Sequence, residues 1–149
     1  MRVLLLSVLL LSSCATPPKP PPRKEPIKET CIQVAEQLGK GGLPEEEKRA
    51  LVERLGDRPF RWNLRVMSSA EQTSSLDFDR VIYLDVECAD WPRGTDDGLR
   101  YLFTLNFDAS QKAAAGKLVK NTLIKAEGFL SKYEGQNAFA AVGAILLAQ

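Results

Sequence analysis

Apolar residues recur at helical spacing in two short stretches that follow residue 26. The first set is Ile27, Cys31, Val34, Ala35 and Leu38, and the second is Leu51, Val52 and Leu55. The first pattern ends at the pair Gly41-Gly42. Pro44 and the three glutamates after it are typical of a first helical turn, and Gly56 is typical of a helix end. The pattern therefore predicts two short helices, which need the rest of the fold to persist.

From residue 60 onward the apolar positions alternate, which is typical of strands with one buried face. The inward positions of three such segments are Phe60, Trp62, Leu64 and Val66, then Ile82, Leu84, Val86 and Cys88, then Tyr101, Phe103, Leu105 and Phe107. Polar stretches at 67–75 and 89–98 separate these segments and are predicted to be loops. Three alternating segments in succession predict an antiparallel meander that is apolar on one face.

Residues 109–133 return to helical spacing. One stripe contains Ala115, Val119, Thr122, Ala126, Phe129 and Tyr133, and most lysines of this segment lie outside it. This stripe predicts a long C-terminal helix that covers the sheet, and an amphipathic helix that binds a membrane or a partner is the alternative. Residues 138–148 are almost wholly apolar, and at that length they predict a buried final helix or strand.

Together these elements predict an α+β fold. It contains two short helices, a three-stranded antiparallel sheet, and a long C-terminal helix packed on the sheet. We expect a single globular domain over residues 27–149, which is long enough to bury one hydrophobic core.

The first 13 residues have the pattern of a secretory signal peptide. Arg2 precedes an apolar run from Val3 to Leu11, and small residues follow. The run is much shorter than the ~20 residues of a transmembrane helix. The stretch Leu11-Ser12-Ser13-Cys14 resembles the lipobox of bacterial lipoproteins, in which a branched apolar residue and two small residues precede a cysteine. The alternative is an ordinary signal peptide, or a buried N-terminal helix, with an incidental cysteine.

The lipobox resemblance covers only the first 15 residues, and it implies a cellular location. It implies cleavage before Cys14 and acylation of that cysteine, and several buried acyl chains make a stable membrane anchor. Ala15 is similar to the residues that direct enteric lipoproteins to the outer membrane. We therefore expect an outer-membrane lipoprotein that faces the periplasm, with the lipid bilayer as its first partner.

Residues 14–26 follow as a proline-rich tether. Six prolines lie among the twelve residues after Cys14, and proline fixes φ and lacks an amide hydrogen. An extended polyproline segment of this length spans roughly 35–40 Å, at ~3.1 Å per residue. We interpret the segment as a spacer, and a docking site at Pro17–Pro22 for a partner's aromatic groove is the alternative.

Charge and composition exclude several classes of function. Without Arg2, 19 basic residues balance 19 acidic residues, so the domain has no net field to attract a polyanion, and we expect no nucleic-acid partner. The chain contains no histidine, which excludes histidine-dependent triads and the usual catalytic zinc sites. We expect neither an enzyme nor a cofactor or metal site.

With Cys14 assigned to lipid, Cys31 and Cys88 remain. Both occupy inward positions, and the periplasm is oxidising, so we expect a disulfide between them. Such a bond closes a loop of about 58 residues and contributes roughly 4 kcal/mol in the chain-entropy model. Two buried free thiols are the alternative.

The acidic residues around the second predicted loop are the candidate chemical site. They are Asp85, Glu87, Asp90, Asp96 and Asp97. Their spacing does not match a calcium-binding loop, and a solvated turn is the simpler interpretation. Trp91 and Arg93 in the same region are residue types that anchor interfaces, so they are candidate partner contacts, although Trp91 could instead fold onto the sheet edge.

Two hypotheses about function follow. The first is a non-catalytic lipoprotein that binds an envelope protein complex, similar in plan to pilotin lipoproteins and to small envelope-assembly lipoproteins; no motif supports that likeness residue by residue. The second is an enzyme, an inhibitor or a small-ligand binder that acts on the cell wall through the acidic segment Asp85–Asp97.

Overall fold

The computed structural model describes residues 24–39, 41–73, 80–92, 101–107, 109–133 and 138–147. The elements are helices α1 (Cys31–Leu38) and α2 (Glu45–Gly56), strands β1 (Pro59–Thr73), β2 (Arg80–Cys88) and β3 (Leu102–Phe107), a 3-10 turn (Ala109–Gln111), helix α3 (Lys112–Ala115), and strands β4 (Leu123–Tyr133) and β5 (Ala138–Leu146). Cys14 and most of the proline-rich tether lie outside the described residues.

Local sequence signals explain where the two N-terminal helices begin. Thr30 caps α1 in a capping box, because its side chain accepts from the Gln33 amide while the Gln33 side chain accepts from the Thr30 amide. Helix α2 follows Pro44, and its first turn contains three glutamates that favour the positive end of the helix dipole. The two predicted short helices are therefore present.

The five strands close into a barrel in the order β1-β2-β3-β5-β4. Strand β1 makes the closure possible because it is long: residues Pro59–Arg65 pair with β4, and residues Leu64–Thr73 pair with β2. A register shift between Val66 and Ser68 lets the strand bend from one neighbour to the other. Strands β3 and β5 are parallel, and the other pairs are antiparallel.

This architecture, a five-stranded Greek-key barrel, is that of the OB-fold. The short helix α3 lies between β3 and β4 and contacts β2 at one end of the barrel, where Gly116 approaches the Ile82 side chain. Helix α2 packs on β4, where Gly56 lies against the carbonyl of Leu130. Closure and the flanking helices leave few free strand edges among the described residues.

The hydrophobic core fills the barrel. Its large fully buried side chains include Phe60, Leu64, Val66, Leu84, Val86, Tyr101, Phe103 and Leu105. Phe60 stacks on Trp62 with ring centroids 4.6 Å apart, and Trp62 lies 5.3 Å from Phe103. Gly128 on β4 makes room for this stack, because a Cβ there would lie 3.1 Å from the Phe60 ring.

The α+β composition agrees with the sequence prediction, but the predicted three-stranded sheet is wrong. The antiparallel order β1-β2-β3 is present, yet the sheet has five strands and one parallel pair. Part of the predicted loop at 67–75 is also strand, since β1 continues to Thr73. Sequence alternation within one segment cannot reveal pairing with strands that lie more than 60 residues away.

The predicted long C-terminal helix is wrong as well. Only Lys112–Ala115 is α-helical there, and Leu123–Tyr133 forms β4. Asn121 has a positive φ of 71°, which reverses the chain into β4 at a position where asparagine is tolerated. Val119 and Phe129, which a helical stripe would bury, are 68% and 45% exposed. The residues that β4 does bury alternate: Ile124, Ala126, Gly128 and Leu130.

The C-terminal apolar segment forms strand β5, one of the two forms expected for it. Within the described ranges, no helix has the length and apolar character needed to span a membrane.

Candidate binding face

A disulfide joins Cys31 and Cys88, whose Cα atoms are 5.6 Å apart. The predicted bond is therefore confirmed. It connects helix α1 to the end of strand β2 across 57 residues of sequence, and both cysteines are buried. The bond fixes the N-terminal helix beside strand β2, which contributes three of the seven residues of the candidate site.

The candidate site is the outer surface of β1, β2 and β3, which we call the polar face. It comprises Arg65, Ser68, Tyr83, Asp85, Glu87, Thr104 and Asn106. On β2 these positions alternate with the buried Leu84 and Val86, so barrel closure sets their outward direction. In characterised OB-folds the surface of strands 2 and 3 binds oligonucleotides and oligosaccharides.

Asp85 is the centre of the polar face. It lies opposite Ser68 on β1 and opposite Thr104 on β3. The Ser68 hydroxyl donates to Oδ2 of Asp85 at 2.7 Å, and the Thr104 hydroxyl donates to Oδ1 at 2.8 Å. Hydrogen bonds to an ionised carboxylate are among the stronger ones in proteins. The carboxylate is therefore held in one orientation across three strands.

The next charged pair on this face is Arg65 and Glu87. Nε of Arg65 lies 3.3 Å from Oε1 of Glu87, and Nη2 of Arg65 donates to the carbonyl of Ala89 at 3.0 Å. Glu87 is only 6% exposed, so its charge is balanced at short range rather than by solvent. The Tyr83 and Asn106 positions, paired in register at the far end of the face, are partly exposed.

A groove of about 380 Å³ adjoins the polar face beside the disulfide. The N-terminal segment forms one wall and β1 the other, and its lining includes Thr30, Asn63 and Asp90. The segment is fixed there because the indole of Trp62 donates to the carbonyl of Glu29 at 3.1 Å. Asn63 of the groove lies two residues before Arg65 of the polar face on β1, and its carbonyl accepts from the amide of Ala89.

The acidic residues singled out from the sequence do not form one loop cluster. Asp85 and Glu87 lie on β2 with separate partners, and Asp90 lies in the turn after β2, exposed at the groove. Asp96 and Asp97 lie outside the described residues. Among the residues that are described, no group of three acidic or cysteine side chains is arranged to hold a metal ion.

The two candidate partner contacts differ in what the structure describes. Trp91 is half-buried and packs against the hydrophobic core. Arg93 lies outside the described residues.

Sequence reasoning did not include Ser68, Thr104 or Asn106 in the site. Ser68 fell within a predicted loop, although it belongs to β1. Thr104 and Asn106 were recognisable only as outward positions of a strand, and nothing local shows that Thr104 lies beside Asp85. The available signal was Thr104, a hydroxyl residue at an outward position of an alternating segment.

A second polar cluster lies where α2 meets β4. The Tyr133 hydroxyl donates to Oε1 of Glu45 at 2.8 Å, and Nζ of Lys48 lies 3.4 Å from the same oxygen. The hydrogen bond from Tyr133 lowers the pKa of Glu45, while burial and that bond raise the pKa of Tyr133. Burial also raises the pKa of Tyr101, whose hydroxyl has no hydrogen-bond partner among the described residues. These contacts fix α2 on the barrel.

Comparison of the chain with protein-family models, with characterised proteins and with solved structures finds no significant match.

Proposed function

We propose that this chain is a bacterial lipoprotein, anchored through Cys14, whose barrel is a non-catalytic module that binds an envelope protein through the polar face. The observation that carries the proposal is the fixed and open arrangement of Ser68, Asp85 and Thr104 across three strands. The barrel provides a rigid platform for these side chains, and preorganised polar groups lower the entropic cost of association.

The disulfide supports the proposed location outside the cytoplasm. Disulfides persist in exported proteins and are rare where cellular thiols are kept reduced. The bond between Cys31 and Cys88 leaves Cys14 as the one remaining cysteine of the chain, available for acylation. Together with the lipobox and Ala15, this supports an outer-membrane protein that faces the periplasm.

The charge of the polar face favours a protein over a nucleic acid. Asp85 places a negative charge at its centre, and the Arg65 charge is offset by Glu87 at 3.3 Å. A phosphate backbone would meet repulsion there, because nucleic-acid affinity depends on uncompensated basic groups. Tyr83 adds a residue type that is enriched in the buried centres of protein interfaces.

The same contacts support a binding role rather than catalysis. Both carboxylate oxygens of Asp85 accept hydrogen bonds from hydroxyl groups on neighbouring strands, so the carboxylate already has fixed partners. Glu87 is paired with Arg65, and the chain has no histidine to serve as a base.

Site-specific photocrosslinking in the native bacterium tests the proposal. A benzophenone residue at position 83 should form a covalent adduct with a specific envelope protein, whereas the same residue at Arg54, exposed on α2, should not. Asp85→Arg should abolish the adduct, and Asp57→Arg, which makes the same charge change at an exposed site away from the face, should preserve it. Equal adducts from positions 83 and 54 would reject the polar face as the binding site.

A second candidate function is recognition of a small polar ligand such as a cell-wall fragment. The groove of about 380 Å³ beside Asp90 favours it, because this volume suits a small molecule. Titration with a soluble peptidoglycan fragment should then show binding that Asp90→Asn weakens and Asp57→Asn does not. Absence of binding by the unaltered protein would eliminate this function.

A further inference from the structure

We propose that the outer surface of β4 and β5 lies against the bilayer when the protein is anchored, so that the domain has a fixed orientation. We call this surface the apolar wall, and it consists of Leu123, Lys125, Glu127, Phe129 and Ile145. Leu123, Phe129 and Ile145 are 50%, 45% and 41% exposed, which is high for large apolar side chains on a barrel. The inference rests on the proposed lipid anchor at Cys14.

The apolar wall is a row along β4 in which Leu123 and Phe129 lie on either side of the charged Lys125 and Glu127. Leu123, Lys125, Glu127 and Phe129 point away from the barrel because the residues between them are buried. Ile145 lies directly opposite Glu127 on β5, so it adds to the row from the neighbouring strand. Four alternate positions of a strand extend over about 20 Å, at ~3.3 Å per residue, which gives a linear contact surface.

The charges of the wall fit an anionic lipid surface. Its one carboxylate, Glu127, accepts from Nε and Nη2 of Arg61 at 3.0 and 2.6 Å, so its charge is neutralised locally. Lys125 on the wall and Lys120 in the preceding turn are exposed. Lysines near an anionic bilayer contribute ~1 kcal/mol each.

The position at which the tether enters the domain supports the bilayer as the surface that the wall contacts. The Ile27 amide donates to the carbonyl of Pro59 at 2.9 Å, and Pro59 is the register partner of Phe129. The Arg58 guanidinium donates to the carbonyls of Glu25 and Pro26 at 2.9 and 2.6 Å. The last residues of the tether are therefore held along the start of β1, which separates them from the wall by one strand.

The tether is short enough to keep the wall near the membrane. About ten residues separate Cys14 from the first described residue, and in polyproline form they span roughly 30 Å. A tether of that length holds the domain at a high effective concentration above the bilayer. Three exposed apolar residues bind a membrane weakly on their own, and tethering makes such contact effective.

Brominated lipids test this orientation. The mature lipidated protein is reconstituted in vesicles of phosphatidylethanolamine and phosphatidylglycerol that contain bromine near the glycerol end of the acyl chains. Phe129→Trp places a fluorescent probe on the wall, and Tyr83→Trp places the matched probe on the polar face. The signal of Trp62 and Trp91 is subtracted with the unaltered protein.

We expect the vesicles to quench the probe at position 129 and to leave the probe at position 83 unchanged. Lys125→Gln in the Phe129→Trp background should reduce the ratio of docked to undocked protein about fivefold, the loss of one lysine near an anionic surface. Replacing phosphatidylglycerol with a neutral lipid should reduce it further.

Two failures are distinguishable. If the protein does not float with the vesicles, the lipid anchor is absent, and both the proposed address and this inference are overturned. If it floats but the probes at 129 and 83 are quenched equally, or neither is quenched, the domain has no fixed orientation, and only this inference is overturned.

Discussion

The polar face and the apolar wall lie on different sides of one barrel and differ in what holds their outer side chains. On the polar face, Asp85 and Glu87 each have partners on a neighbouring strand. On the apolar wall, Phe129 and Ile145 are 45% and 41% exposed. Both regions contribute inward residues to the same hydrophobic core, so burial inside the barrel does not dictate the difference between their outer surfaces.

The outward residues, rather than the inward ones, are the residues that can differ for functional reasons. A barrel needs alternating inward apolar residues, and it tolerates almost any residue outside. We therefore take the fixed hydrogen bonds on one side as support for the proposed recognition of polar groups. We take the grouped exposed apolar side chains on the other side as support for the proposed contact with the bilayer.

The largest effect on stability should follow from loss of the disulfide, which joins α1 to β2 on the side of the polar face. We expect the double variant Cys31→Ala with Cys88→Ala to lose about 4 kcal/mol of unfolding free energy, from loop-closure entropy. Denaturant unfolding measures this loss.

Hydrogen exchange by mass spectrometry then tests the comparison between the two sides. Amides of α1 and the end of β2 should lose the most protection, and those of β4 should lose less. Uniform loss across the barrel would show that the two regions are not independently stabilised.

A smaller effect is expected at Gly128, an inward position of β4 on the buried side of the strand that carries the apolar wall. Gly128→Val introduces a Cβ 3.1 Å from the Phe60 ring and 3.3 Å from the Cα of Ala144, so overpacking should cost about 1–3 kcal/mol. Lys125→Val is the control, because it adds the same side chain on the exposed surface of the same strand and should change stability by no more than about 0.5 kcal/mol. Thermal melts of both variants make the measurement. Equal losses would mean that β4 does not have the inward and outward positions described here.

The same strand explains why the C-terminal half was predicted wrongly. Strand β4 buries Ala126 and Gly128, two small residues whose inward direction leaves no apolar signal, and it exposes Phe129. A period of two is therefore obscured, and the remaining pattern fits a helix. Tertiary pairing with β1 and β5 decided the outcome, and a single sequence does not contain that information.

The N-terminal half was predictable because its signals are local. Pro44 with the glutamates after it, and the strict alternation of Phe60 to Val66, each specify a short element without distant partners. The disulfide was predicted because both cysteines occupy inward positions and because the expected compartment, the periplasm, is oxidising. The polar face was predicted only in part: Asp85 was recognised as outward, whereas Ser68 meets it only because β1 continues past a register shift.

The smallest effect concerns the junction of α2 with β4, which supports the apolar wall from one end. The pKa values of Tyr101 and Tyr133 are raised in the folded protein, chiefly by burial, above the ordinary value of 10.0. Above that pH the unfolded chain binds fewer protons than the native one, so the unfolding free energy should fall as pH rises. This contribution is complete below pH 10 and is lost progressively above it.

Tyr101→Phe isolates the buried phenol. Its hydroxyl has no hydrogen-bond partner among the described residues, so its removal should leave the unfolding free energy at pH 7 unchanged or slightly higher. The alkaline decline should become shallower, since one of the two perturbed groups is gone. Tyr133→Phe is the matched comparison: it breaks the 2.8 Å hydrogen bond to Glu45 and should lower stability at pH 7 by about 1 kcal/mol. Urea unfolding at pH 7 and at alkaline pH separates the two variants, and an unchanged alkaline slope in Tyr101→Phe would show that this phenol is not the group that titrates.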